Sequence, residues 1–190
     1  KHYINNHYNI NKENLLELES PLNSKFYSNS KTLNLKRENS IVLNPAKLSR
    51  KSLKLAKDFF KNFGFKVIVL NFKTREQVIE ILSTSKFYLD LGPHPGQERL
   101  PRESIMLGCY PIVGLRGTAQ NYNDVSIPLK YKIECSIDLK IKDLYKALHI
   151  INEINDGNNY GYFKFRKRTE EQPERFNIQL GKFAEKILKI

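Results

Sequence analysis

The chain has no tryptophan, a single methionine and two cysteines in 190 residues. Cys109 and Cys135 cannot make a disulfide framework or supply zinc spacing, so a reducing, cytoplasmic setting is expected. Cys109 lies in an apolar run and reads as a small buried hydrophobe. The four histidines, His2, His7, His94 and His149, have no metal-ligand spacing with each other or with a cysteine. The sequence also has no Asp-x-Asp pair for a divalent metal on a diphosphate, no Gly-x-Ser-x-Gly elbow, no Walker-type phosphate loop and no Gly-x-Gly-x-x-Gly fingerprint. The expectation is therefore chemistry without a metal or a resident cofactor. No apolar run approaches the ~20 residues that span a bilayer. Because the chain opens on Lys1 rather than Met, a preceding segment stays open.

Acid is also scarce: 32 Lys and Arg face 20 Asp and Glu, a net charge of +12. That balance favours anionic partners, namely nucleotides, phosphosugars, nucleic acid or an acidic membrane surface. The abundance of Asn, Ile and Lys offers a plainer origin for the charge in surface lysines that bind nothing. What the chain does have is a hydrophobic fraction of 40%, with 11 Phe and 10 Tyr, enough for one domain-sized core.

Residues 1–39 read as an irregular lead-in or the remnant of a preceding domain, with a loop over Asn23–Ser30. From residue 40 to 190 short apolar runs alternate with helical periodicity. Ile41–Leu43, Val67–Leu70, Phe87–Asp90 and Pro111–Gly114 are expected strands, with a fifth near Tyr131–Glu134. Helices are expected between them, one opened by a Thr74/Gln77 capping box and one with Pro101 in its first turn. Ile141, Leu144, Leu148 and Ile151 mark a further helix, and Phe176, Leu180, Phe183 and Ile187 a last one; the basic run Lys164–Arg168 reads as a solvated connector between them. Strands that are continuously apolar and alternate with helices imply an α/β domain with a Rossmann-like parallel sheet of five or six strands. Ligands of such sheets bind beyond the strands' carboxyl ends.

The loop richest in chemistry is therefore the one after the third strand, running from Gly92 to Glu103 into a helix N-terminus. Exposed N–H groups there favour an anion. Gly92 and Gly96 permit close backbone approach, and Arg99 and Arg102 offer guanidinium forks for phosphate. Glu103, just behind Pro101, either accepts hydrogen bonds from the vicinal hydroxyls of a ribose or merely complements the helix dipole. His94 suits proton transfer or a sugar hydrogen bond, and is equally readable as a structural residue of an exposed loop. Asp90 either faces the productive edge or caps the turn. Lys47, after the first strand, either reaches a phosphate or is solvated, and Gly117 and Thr118 offer donors to an anion or simply make a tight turn.

The run Leu100-Pro101-Arg102-Glu103-Ser104-Ile105-Met106-Leu107-Gly108-Cys109-Tyr110-Pro111-Ile112-Val113 resembles the LPxxEAMxxGxPVV block of GT-B glycosyltransferases. The wider stretch from Gly92 to Tyr122 is similar to glycosyltransferase-like proteins of bacterial polysaccharide clusters. The resemblance implies the C-terminal, nucleotide-sugar-binding domain of such an enzyme. It makes Glu103 the ribose-binding glutamate and Lys47 a diphosphate-binding base, with Gly117 and Thr118 on the nucleotide side. It also implies a glycan or lipid-linked acceptor held by an N-terminal domain absent from this chain, with possible association at an acidic membrane. A glutamate common in the family eight positions before Glu103 is replaced by Pro95, so the sugar-contacting or catalytic role falls to His94 or Glu98, or is lost. The competing readings are a non-catalytic nucleotide or phosphosugar module and, less favoured for want of an aromatic ladder, a nucleic-acid binder.

Overall fold

The computed structural model describes residues 15–16, 18–29, 37–136, 138–157 and 159–188. Much of the expected lead-in, residues 1–14, 17 and 30–36, lies outside the described residues, as do His2, His7 and the end of the last helix. Leu22–Thr169 forms one compact unit. Its elements run α1 (Ser24–Ser28), β1 (Glu38–Leu43), α2 (Arg50–Asn62), β2 (Lys66–Val69), α3 (Arg75–Thr84), β3 (Ser85–Asp90), α4 (Arg99–Met106), β4 (Tyr110–Gly114), β5 (Lys132–Ile133), α5 (Ile141–Asn155) and α6 (Tyr160–Glu170). The second unit draws on Lys1–Pro21 and Glu170–Ile190 and contains α7 (Gln172–Leu188). Within it the Arg175 guanidinium donates to Glu19 at 2.8 and 3.2 Å, and the Glu19 N–H donates to Gln179 Oε1.

The five strands make an all-parallel, Rossmann-like sheet in the order β2-β1-β3-β4-β5. Its continuous apolar runs follow from burial on both faces. Ile41, Leu43, Phe87 and Leu89 enter one core cluster with Phe60, Ile112 and Ile151, while Val42 and Tyr88 enter the other with Leu82 and Met106. This is the two-residue period of a strand, with both sides apolar.

The helices start and stop where the local chemistry requires. Ser49 Oγ accepts the Ser52 N–H at the start of α2, and Gly64, at φ +79°, closes its far end. Thr74 and Gln77 exchange their side-chain and backbone hydrogen bonds, the expected capping box. In α4 the chain turns out through Gly108, at φ +77°, as the Gly108 and Cys109 N–H groups return to the Ile105 and Ser104 carbonyls.

Two segments depart from the sequence reading. Instead of a loop, Ser24–Ser28 is a helix turn capped by Asn23 and anchored by fully buried Phe26; two adjacent apolar residues in five show no period. The basic run Lys164–Arg168 lies inside α6, whose buried Tyr162, Phe165 and Thr169 share one face. The lysines and arginines between them masked that stripe. In α7, Leu180, Phe183 and Ile187 are about half exposed. Among the described residues no helix is long and apolar enough to cross a membrane.

Candidate functional site

The chain leaves β1 toward β2 on one side and returns as β3 on the other, so β1 and β3 flank the switch point of strand order. Helices and loops there part at the carboxyl edge and leave room for a ligand. Lys47 arrives at this point in a 3-10 turn that Asn44 caps by accepting the Ala46 N–H. Asp90 ends β3, and His94 and Glu98 follow in its loop.

These side chains converge below the surface. The Lys47 ammonium lies 3.1 Å from Glu98 Oε2 and 3.5 Å from Asp90 Oδ2. Tyr88 Oη donates to Asp90 Oδ2 at 2.8 Å. His94 Nε2 stands 3.9 Å from Asp90 Oδ1, too far for a hydrogen bond. Lys47 Nζ, Asp90 Oδ1 and both ring nitrogens of His94 are buried without an aligned hydrogen-bond partner. His94 is fully buried rather than on an exposed loop. Burial lowers its pKa, against the opposing pull of the Asp90 carboxylate, so the ring is neutral at pH 7. Burial and the same carboxylate raise the Tyr88 hydroxyl well above its ordinary value.

The glycines and Thr118 serve this loop from within the protein. A Cβ on Gly92 would run into the Lys47 side chain, and one on Gly117, at φ +62°, into the His94 carbonyl. The Thr118 N–H and hydroxyl both go to the His94 carbonyl, at 2.8 and 3.0 Å, and the hydroxyl also reaches the Gly96 carbonyl. Gly117 and Thr118 thus clamp the loop, and the Thr118 donors are spent on it. Gly96 alone of these fits close approach from outside, because a Cβ there would meet open space. Arg102 is equally occupied: it is buried and donates to the Glu98 and Gln97 carbonyls.

The second half of the site is open. Arg99 and Glu103, one turn apart on α4, line a cleft of about 260 Å³ with Phe26, Lys73, Arg75 and Val78. Lys73 and Arg75 come from the carboxyl end of β2, so the cleft lies on the edge that the fold reserves for ligands. Burial raises the Glu103 pKa, while Arg99, Arg102 and Arg75 draw it back down. No side chain caps the first turn of α4, where Glu98 holds the N-cap position and buried Pro101 the third.

The sequence reading therefore splits in two. Arg99 and Glu103 meet at an open cleft; Lys47, Glu98 and His94 meet in a buried cluster beside it in sequence. Lys73 and Arg75 were missed because exposed cations near a helix start carry no pattern. Phe72, 98% exposed at φ +47° in the same loop, was missed likewise. Among the described residues no group of three His, Cys, Asp or Glu is placed to hold a metal ion. Neither the protein-family models nor the curated proteins give a match to this chain.

Proposed function

We propose that the chain is the donor-binding half of a glycosyltransferase, holding a nucleotide sugar in the cleft of Glu103. The observation that carries this reading is a half-buried carboxylate set among Arg99, Arg75 and Lys73 at the carboxyl edge of a parallel sheet. A lone carboxylate accepts paired hydrogen bonds from the 2′- and 3′-hydroxyls of a ribose. Three cations around it answer a diphosphate, and guanidinium forks hold that group through two oxygens at once. Charge that develops on a departing diphosphate is met by the same fixed groups. The likeness of Leu100–Val113 to the GT-B block supports the same assignment for Glu103.

One observation favours binding without transfer by this chain alone. His94 is enclosed and Glu98 is paired to Lys47, so neither candidate base reaches the cleft as it stands. A sugar acceptor and its base then belong to another part of the protein.

Thermal unfolding with UDP, GDP, ADP, CMP and a DNA oligomer tests the reading. At about 100 times its dissociation constant a ligand adds roughly 2.7 kcal/mol. One nucleoside diphosphate should raise the melting temperature, and Glu103→Ala should remove most of that rise. A rise with DNA and with no nucleotide would sink the assignment.

A further inference from the structure

The opposite end of the sheet carries a second cavity, of about 540 Å³, at the amino edge of β3 and β4. Arg37 before β1, Lys86 in β3 and Arg166 in α6 bring three cations to it, and no carboxylate is among the described residues that line it. Tyr110, Tyr162 and Phe163 make its aromatic wall; Tyr162 stacks on Tyr131 at 5.1 Å and meets Tyr110 edge-on at 5.3 Å.

The two guanidiniums are fixed before any ligand arrives. Arg37 donates through Nη1 to the Leu82 and Ser85 carbonyls and through Nη2 to Leu107. Arg166 donates through Nη1 to Ile105 and Met106. Both therefore grip the last turn of α4, which sets two like charges side by side. Burial is the chief cause that lowers the Arg37 pKa; Cys109 and Tyr110 pull it back up, and the charge of Arg166 adds a smaller lowering. Separately, the Tyr162 hydroxyl is buried without a hydrogen-bond partner. A polar group in that state stands ready to pair with something that enters.

We propose that this cavity is a second ligand site, built for a ring-bearing phosphomonoester of mononucleotide size. The phosphate lies against Arg37, Arg166 and Lys86, and the ring packs on Tyr110 and Phe163. Three cations gathered on one wall suit a phosphate by charge, and aromatic faces accept any planar base. The volume is that of a small-molecule pocket and exceeds what inorganic phosphate fills. The site is independent of the Glu103 cleft, which faces the other edge.

Amide NMR of the whole chain, titrated with UMP, uridine and inorganic phosphate, tests the proposal. UMP should move the amides of Gly108, Asn159, Tyr162 and Phe163, and bind more tightly than uridine or phosphate alone. Lys86→Glu and Phe163→Ala alter side chains that the core does not need, and each should weaken these shifts about tenfold, equivalent to about 1.4 kcal/mol. Signals from Lys73 and Glu103 should behave as in the parent. Still amides at this edge up to about 10 mM UMP, a range that reaches beyond millimolar binding, would overturn the proposal. Equal binding of phosphate and UMP, or unchanged binding in both variants, would do the same.

Discussion

The two edges of the sheet both gather charge, yet they handle it in opposite ways. At the amino edge, like charges sit together and the guanidiniums give hydrogens to backbone carbonyls at the ends of α3 and α4. At the carboxyl edge, opposite charges sit together, and Lys47, Asp90 and His94 keep buried polar atoms without aligned partners. The first arrangement helps to hold the fold, because the guanidinium hydrogens satisfy backbone carbonyls. The second leaves hydrogen-bonding capacity unspent, at about 1–3 kcal/mol for each orphaned group. A fold keeps such a cluster against its own stability where function uses it, and this one lies at the switch point of strand order.

The sharpest way to break the comparison is to pry open the clamp that holds the carboxyl-edge cluster. Gly117→Ala puts a Cβ into the His94 carbonyl and forces a side chain to φ +62°. Left-handed strain and overpacking together should cost about 3 kcal/mol. Urea unfolding measures it, with Gly96→Ala as the control in open space, expected within about 0.5 kcal/mol of the parent. Equal losses in the two variants would mean that the clamp is not what orders the loop.

A smaller effect separates the edges themselves. Arg37→Met strips three carbonyls of a charged donor and should destabilise by about 2 kcal/mol. His94→Phe removes two ring nitrogens that bond to nothing and should change stability by less than about 1 kcal/mol, toward greater stability. The sign with pH follows. Because folding lowers the His94 pKa from 6.5, the unfolded chain holds more protons below that value, and stability falls as pH drops through it. The slope should flatten in His94→Phe and persist in Arg37→Met. A His94→Phe protein that loses as much as Arg37→Met would place both edges in the same structural role.

The sheet was legible in the sequence because burial on both faces writes each strand as an unbroken apolar run, as in Ile41–Leu43 and Phe87–Leu89. The location of the site was legible for a related reason: parallel strands force their ligand loops to one edge, and Asp90 to Glu103 was the loop dense in chemistry. The allocation of roles within that loop was not. Arg102 and Arg99 are the same residue type three positions apart and on neighbouring helix positions, yet one bonds inward to carbonyls and the other lines the cleft, a difference that residue type and spacing do not encode. Gly92 likewise yields its space to Lys47 rather than to a ligand, a contact between segments 45 residues apart that no local pattern encodes. The pairing of Arg37 with Arg166 at one helix end depends on still longer separations.

Lys132 refines the comparison, because it is a buried cation of the carboxyl half whose hydrogen bonds are made. Its ammonium donates to the Ala119 and Val125 carbonyls at 2.6 and 2.7 Å, yet burial lowers its pKa to about 8. Two carbonyls satisfy its hydrogens without supplying a countercharge, so the charged form remains the more expensive one to bury. Between pH 8 and the ordinary lysine value of 10.5 the unfolded chain therefore binds more protons than the folded one, and stability should rise with pH across that window. Thermal unfolding at intervals through it, for the parent and for Lys132→Gln, isolates the effect, which should vanish in the variant. A parent that loses stability steadily over the same range, with no difference from Lys132→Gln, would show that satisfied hydrogen bonds had already offset the cost of the charge.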